Sequence, residues 1–248
     1  MDTIFRHRSI RKYKSTPIKA NVLDYILKAG ARASTTGNMQ VYSIIVTKEK
    51  AMREKLWEIH FKQNMVLQAP IILTFCADFN RFNKWCKLRN AQPGYDNFLS
   101  FYTASIDALL ASQNVALAAE DSGLGICYLG TTTYNADKIV NLLNLPKDVV
   151  PVTTLVLGYP DEEPDLTDRL PMDAIIHKES YQDYTPERIN KIYKNRETSV
   201  ETKKLLEINN KESLAQIFTD NRYTKKDNML FSNKFLKTIK EQGFMNND

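Results

Sequence analysis

The longest apolar run without a breaker sets the frame. Between residues 99 and 121 there is no proline or glycine, Ala and Leu recur, and apolar side chains fall on nearly every helical face: Ile106, Leu109, Leu110, Val115, Leu117 and Ala118. This predicts a long helix buried by its own domain or by a second subunit. It closes on Asp121-Ser122-Gly123-Leu124-Gly125, with Gly123 suited to the left-handed position past a helix end. Residues 126–129 follow as a short strand into Gly130-Thr131-Thr132.

Periodicity predicts the rest. Residues 18–32 form an amphipathic helix with Val22, Leu23, Ile26, Leu27 and Ala29 inward and Thr16 or Asn21 as its cap. A small polar loop, residues 33–40, comes next. Strands are predicted at 41–47, 69–77 and 149–158, and the near-continuous apolar content of 69–77 predicts cover on both faces. Helices are predicted at 48–60 and 135–145. Residues 78–98 mix five aromatics with four Arg and Lys; they read as an irregular excursion or a lid, with base binding as the alternative. Proline punctuates 159–171, an extended arm that must lie along a surface. From 184 onward apolar content thins. Exposed helices at 187–195 and 200–206, a basic turn at 221–226 and an amphipathic helix at 229–240 read as an appendage.

Composition narrows the class. The chain has 248 residues, 43% hydrophobic and 25% charged, ordinary for a globular protein with a sizeable core. No apolar run reaches the ~20 residues that span a bilayer, and the start carries arginines rather than an apolar leader, so the expectation is cytoplasmic, without a membrane partner. Three cysteines and three histidines lack metal-ligand spacing, so no metal is expected. A net charge of +5 permits an anionic small ligand and gives little support for nucleic acid, which is not expected as a partner.

Candidate chemistry sits in three places. Arg6, His7, Arg8, Arg11, Lys12 and Lys14 surround Ser9, either as a solvated basic end or as a phosphate grip of guanidinium forks and a hydroxyl. The hydroxyls of residues 33–40 form either a connector or a cradle for phosphate or a heterocycle. The turn after 126–129 either only ends the strand or offers backbone N–H groups to a flat ligand.

Four features occur in order: HRSIR at 7–11; a helix feeding a Ser/Thr loop and Gln40; GLGICYLG at 123–130; and PVTTLVLGYPDEEPDLTDRLP at 151–171, followed by His177 and Tyr181. Together they resemble the FMN-dependent nitroreductase family, in its NADPH-preferring, oxygen-insensitive branch, over residues 1–183. The resemblance implies an α+β fold: a central, mostly antiparallel sheet flanked by helices, a long buried central helix, an FMN-binding domain at 1–183 and a C-terminal helical extension at 184–248. It implies a homodimer with FMN at the subunit interface. His7, Arg8, Ser9 and Arg11 would hold the phosphate and ribityl end, with Arg169 as a second basic contact. Ser34, Thr35, Thr36 and Gln40 would line the flavin, Gln63 would reach its polar edge, and Tyr128, Leu129, Gly130 and Thr131 would lie along the ring. The implied reaction is ping-pong hydride transfer from NADPH (or NADH) to small-molecule electron acceptors, nitroaromatics, quinones or flavins. No catalytic acid or base is nominated. A non-reductase flavin binder, dehalogenase-like or flavin-fragmenting, is the alternative. Two positions depart from the branch: Thr167 stands where a Lys is usual, and Thr133 where an Arg is usual. For the NADPH 2′-phosphate the extension offers Arg222, Lys225 and Lys226.

Overall fold

The computed structural model describes residues 2–246. Its sheet is built around β2 (Ile71–Asp78), buried at every position, as a strand apolar on both faces must be. β1 (Tyr42–Thr47) and β4 (Val149–Gly158) flank it, and β3 (Gly125–Tyr128) lies outside β4. The order is β1-β2-β4-β3, antiparallel throughout, with Thr74 opposite Thr154 and Gly125 opposite Gly158. This is the expected antiparallel α+β architecture.

Beyond β3 the amino-terminal arm continues the edge. Ser9 bridges Ile126 in parallel, the Ile10 N–H donates to the Ile126 carbonyl at 2.8 Å, and the Lys14 N–H donates to the Tyr159 carbonyl at 2.9 Å. Gly125 permits this approach. A β-carbon there would lie 2.7–2.9 Å from three atoms of Ile10.

The central helix, Phe98–Asp121, starts on Asn97, whose side chain accepts from the Ser100 N–H. Its inner face is made of small residues, Ala104, Ala108, Ala111, Ala116 and Ala119, with Val115. The helix Ala20–Gly30 packs closely there, Gly30 lying directly over Val115. That earlier helix starts at Lys19 without a side-chain cap, so neither Thr16 nor Asn21 serves. Within one chain the central helix is not buried all round. Leu99, Tyr102, Ile106, Leu109 and Leu110 stay between 39% and 70% exposed.

Two further expectations are corrected. Residues 78–98 are not irregular: they contain the helix Asn80–Leu88, and Phe79 is buried and stacked on Tyr95 with centroids 4.8 Å apart. The last helix, Lys225–Glu241, is no appendage at its end, because Ile239 and Phe244 join Val41, Ala77, Phe79 and Phe101 in one core cluster. By its internal contacts the chain divides into a compact unit at Thr167–Leu230 and another made of the segments before and after it. The 167–230 unit carries helices Pro186–Thr198 and Val200–Asn209, capped by Thr185 and Ser199. Its basic stretch at 221–222 closes a π-helical turn, Ile217–Arg222.

Substituting Gly125→Ala forces overpacking against Ile10. We expect a loss of about 1–3 kcal/mol in denaturant unfolding. A variant as stable as the parent would contradict this packing.

Candidate functional site

The pairing of the arm with β3 places the basic run beside a concavity of about 600 Å³ lined by Arg6, Arg8, Ile10 and Lys14 and, opposite them, Glu120, Asp121, Glu162 and Glu163. The sequence reading weighed the cations alone; the folded chain sets carboxylates against them. His7 Nδ1 lies 2.7 Å from Glu120 Oε1, and Arg8 Nη1 donates to Glu163 Oε1 at 2.9 Å. Glu162 Oε1 accepts from the Arg11 N–H at 2.5 Å and the Lys12 N–H at 3.1 Å. The Arg11 guanidinium itself reaches, among the described residues, only the Ser9 carbonyl, at 3.5 Å, and is exposed. The Glu163 side chain is 86% exposed, so its pair with Arg8 is worth at most about 1 kcal/mol and yields to a stronger anion. Arg8 Nε is buried without a partner among the described residues. An unspent buried donor beside a weakly held fork suits a phosphate.

β3 runs directly into the turn. Tyr128 donates its hydroxyl to Ser112 Oγ at 3.1 Å, and burial raises its pKa. Leu129 departs from its expected part: its side chain is buried and its N–H donates to the Thr154 carbonyl at 2.9 Å. The N–H groups of Gly130 and Thr131 meet no acceptor among the described residues, so this turn leaves them open. Gly130 is exposed, with open space where a side chain would stand.

Gln63 meets the turn from another element. The helix Lys50–Ile59 ends, Phe61 and Lys62 take left-handed φ of 55° and 57°, and Gln63 folds back. Two adjacent non-glycine residues in that region store strain, which concentrates at functional sites. Gln63 Nε2 donates to the His60 carbonyl at 3.0 Å and reaches Thr131 Oγ1 at 3.3 Å. His60 Nδ1 lies 2.7 Å from the same hydroxyl. His60 is fully buried, and burial lowers its pKa from 6.5 to about 4.

The Ser/Thr loop stands apart. Asp107, the acid buried in the central helix, accepts from the Thr36 N–H at 2.9 Å, the Thr36 hydroxyl at 3.2 Å and the Val41 N–H at 3.3 Å. Ser34, Thr35 and Gln40 line a concavity of about 360 Å³ with Arg32 and Asn38. Gln40 spends its amide on Asn38, at 2.8 and 2.7 Å. No residue lines both this concavity and that of the arm. Within one chain the arm bonds to the strand that leads into the turn and Gln63 meets that turn at Thr131, while among the described residues neither the turn, Gln63 nor the Ser/Thr loop lines the arm's concavity.

The remaining candidates belong to the 167–230 unit and its border. Arg169 donates to the carbonyls of Thr167 and Asp168 at 3.1 and 3.0 Å. Arg222 lies over the Phe218 ring, 5.6 Å from its centroid, while Lys225 and Lys226 are exposed at the start of the last helix. Sequence reasoning missed His60 and Asp107. Asp107 had a signal, a lone acid facing inward on an apolar helix. His60, three residues before Gln63, had none.

The sheet edge is thus extended by an arginine-bearing arm and leads into a turn with open donors. Comparison with known proteins gives the family. The model of the Nitroreductase family matches residues 4–159, more than half of the chain, and the chain belongs to that family. It is 37% identical over 176 residues to the oxygen-insensitive NADPH nitroreductase of Salmonella typhimurium, covering 71% of this chain and 72% of that protein. It is 33% identical over 183 residues to the FMN reductase (NADPH) of Bacillus subtilis, covering 73% and 74%. A crystal structure from Bacteroides fragilis superposes with a TM-score of 0.97 at 52% identity, over 99% of this chain and 100% of that one.

His60 predicts a pH dependence. Unfolded, it takes a proton near pH 6.5; folded, it stays neutral to about 4. The unfolded state binds more protons between those values, so stability is full above 6.5 and falls as pH drops toward 4, by up to about 3 kcal/mol. Unfolding titrations of the parent and of His60→Asn across this window should show a shallower slope in the variant. Equal slopes would refute the buried neutral imidazole.

Proposed function

We propose that this chain is an FMN-dependent NAD(P)H oxidoreductase that passes two electrons as hydride to nitroaromatics, quinones or flavins. The observation that carries the reading is the docking of the basic arm on β3, which puts phosphate donors, the open N–H groups of Gly130 and Thr131 and the Gln63 amide on one continuous piece of structure. Bound FMN supplies the hydride chemistry. The chain's work is to bind and orient. His7, Arg8, Ser9 and Arg11 hold the phosphate and ribityl end, the Gly130 and Thr131 N–H groups donate to the ring, and Gln63 meets its polar edge. Tyr128 forms part of the wall, with its hydroxyl tied to Ser112. Nicotinamide and electron acceptor occupy the same place in turn, which predicts ping-pong kinetics. No side chain acid or base is assigned to the transfer.

The working unit in this reading is a homodimer. Leu99, Tyr102, Ile106, Leu109 and Leu110 form a contiguous exposed apolar strip on the central helix, of a kind that marks a protein interface. Ser34, Thr35, Thr36 and Gln40 then complete the flavin site from the second copy, which accounts for their separation from the arm within one chain. NADPH is the favoured donor because both curated relatives described above are named for it, and the exposed Arg222, Lys225 and Lys226 offer charge for its 2′-phosphate. No helix among the described residues is long and apolar enough to cross a membrane.

The purified protein should be yellow and should oxidise NADPH with a quinone acceptor. Arg11→Ala should weaken FMN binding by about 1.5–3 kcal/mol, the scale of a charge-assisted hydrogen bond. Fluorescence titration with FMN reads this directly, and unchanged affinity would contradict the phosphate assignment.

A further inference from the structure

The bonds among His60, Gln63 and Thr131 fix the direction of every proton in the cluster. The carbonyl of His60 can only accept, so the Gln63 group facing it at 3.0 Å is the NH₂. That leaves Gln63 Oε1 turned away, with no partner among the described residues. His60 Nε2 is buried and without a partner among the described residues. A proton there would be an orphaned buried N–H, the costlier arrangement, so the proton sits on Nδ1 and is donated to Thr131 Oγ1 at 2.7 Å. Gln63 Nε2 supplies a second donor to that oxygen at 3.3 Å. Both lone pairs of the Thr131 hydroxyl are then occupied, and its own O–H must point elsewhere. No acceptor for it exists among the described residues, and Thr131 and Gln63 are both half-buried rather than sealed.

We propose that His60 is a positioning residue that, with Gln63, aims the Thr131 hydroxyl outward, so that Thr131 O–H and Gln63 Oε1 present an adjacent donor and acceptor to the imide edge of the flavin ring. A donor beside an acceptor matches the neighbouring C=O and N–H of that edge. The paired left-handed residues Phe61 and Lys62 hold Gln63 in register for it. Burial keeps the imidazole neutral, so it retains one N–H and one direction of donation. The proposal rests on the flavin reading above and adds to it the role of His60 and the specific donor.

The test titrates FMN into apo-protein of the parent and of Thr131→Val, Thr131→Ser, His60→Leu, His60→Asn and the His60→Leu/Thr131→Val double variant. It follows the dissociation constant and the position of the visible flavin band. Thr131→Val should raise the dissociation constant about fivefold, the scale of one neutral hydrogen bond, and shift the band. Thr131→Ser should restore both. His60→Leu should match Thr131→Val, His60→Asn should rescue it by offering an N–H near the Nδ1 position, and the double variant should be no worse than either single one. A merely structural His60 would lower thermal stability without moving the band. Thr131→Val with parental affinity and spectrum, or Thr131→Ser as impaired as Thr131→Val, overturns the proposal while leaving the function intact. If His60→Leu does not fold, the two Thr131 variants decide. A parent that binds no FMN refutes the flavin reading itself.

Discussion

The contact between Ile10 and the bare α-carbon of Gly125 is the constraint on which the site depends. It lets the amino-terminal arm hydrogen-bond to Ile126 and extend the edge of the sheet. Four residues after Ile126 the chain reaches Gly130, so the registry that docks the arm also fixes the distance from the basic run to the open turn. β4 sets the other side: it pairs with β3 and then delivers Glu162 and Glu163 to the backbone and side chains of the same arm. The basic run is therefore braced, Glu162 holding its backbone and the exposed Glu163 pairing with Arg8, and a surface pair of that kind is weak enough to be exchanged for a phosphate.

Two buried polar residues carry this order outward. Asp107 takes three donors from the loop entering β1 and so fixes the hydroxyl-rich segment against the central helix. His60 takes hold of Thr131 and, through its carbonyl, of Gln63. Each stands in otherwise apolar surroundings, where a polar group left unmatched is costly, so each specifies one arrangement of its loop. The same economy shapes the central helix, with small residues inside for close approach and large apolar ones outside.

Much of the fold was legible because its signals are local. β2 and β4 declare themselves as apolar, β-branched runs, and the break at Gly123 ends the central helix where expected. Ile106, Leu109 and Leu110 are exposed in one chain, which leaves the second subunit, of the two covers the apolar pattern allows, since periodicity reports that a face is apolar and not what covers it. The helix within 78–98 was hidden because aromatic and basic residues alternate there, while Phe79 and Tyr95 stack on each other sixteen residues apart and Phe79 joins a core cluster with distant Val41 and Phe244. In the site, the basic run and the turn were visible as motifs. The carboxylates opposing the run lie more than a hundred residues away, and the role of His60 exists only through Thr131, so neither had a local signature.

Amide hydrogen exchange with and without FMN tests the central claim most directly. The account predicts that added FMN slows exchange in two regions far apart in sequence, residues 8–11 and 130–131, together with the loop at 34–40 and without comparable change in β2. Uniform exchange in both conditions, or protection confined to segments away from the arm and the turn, would contradict it.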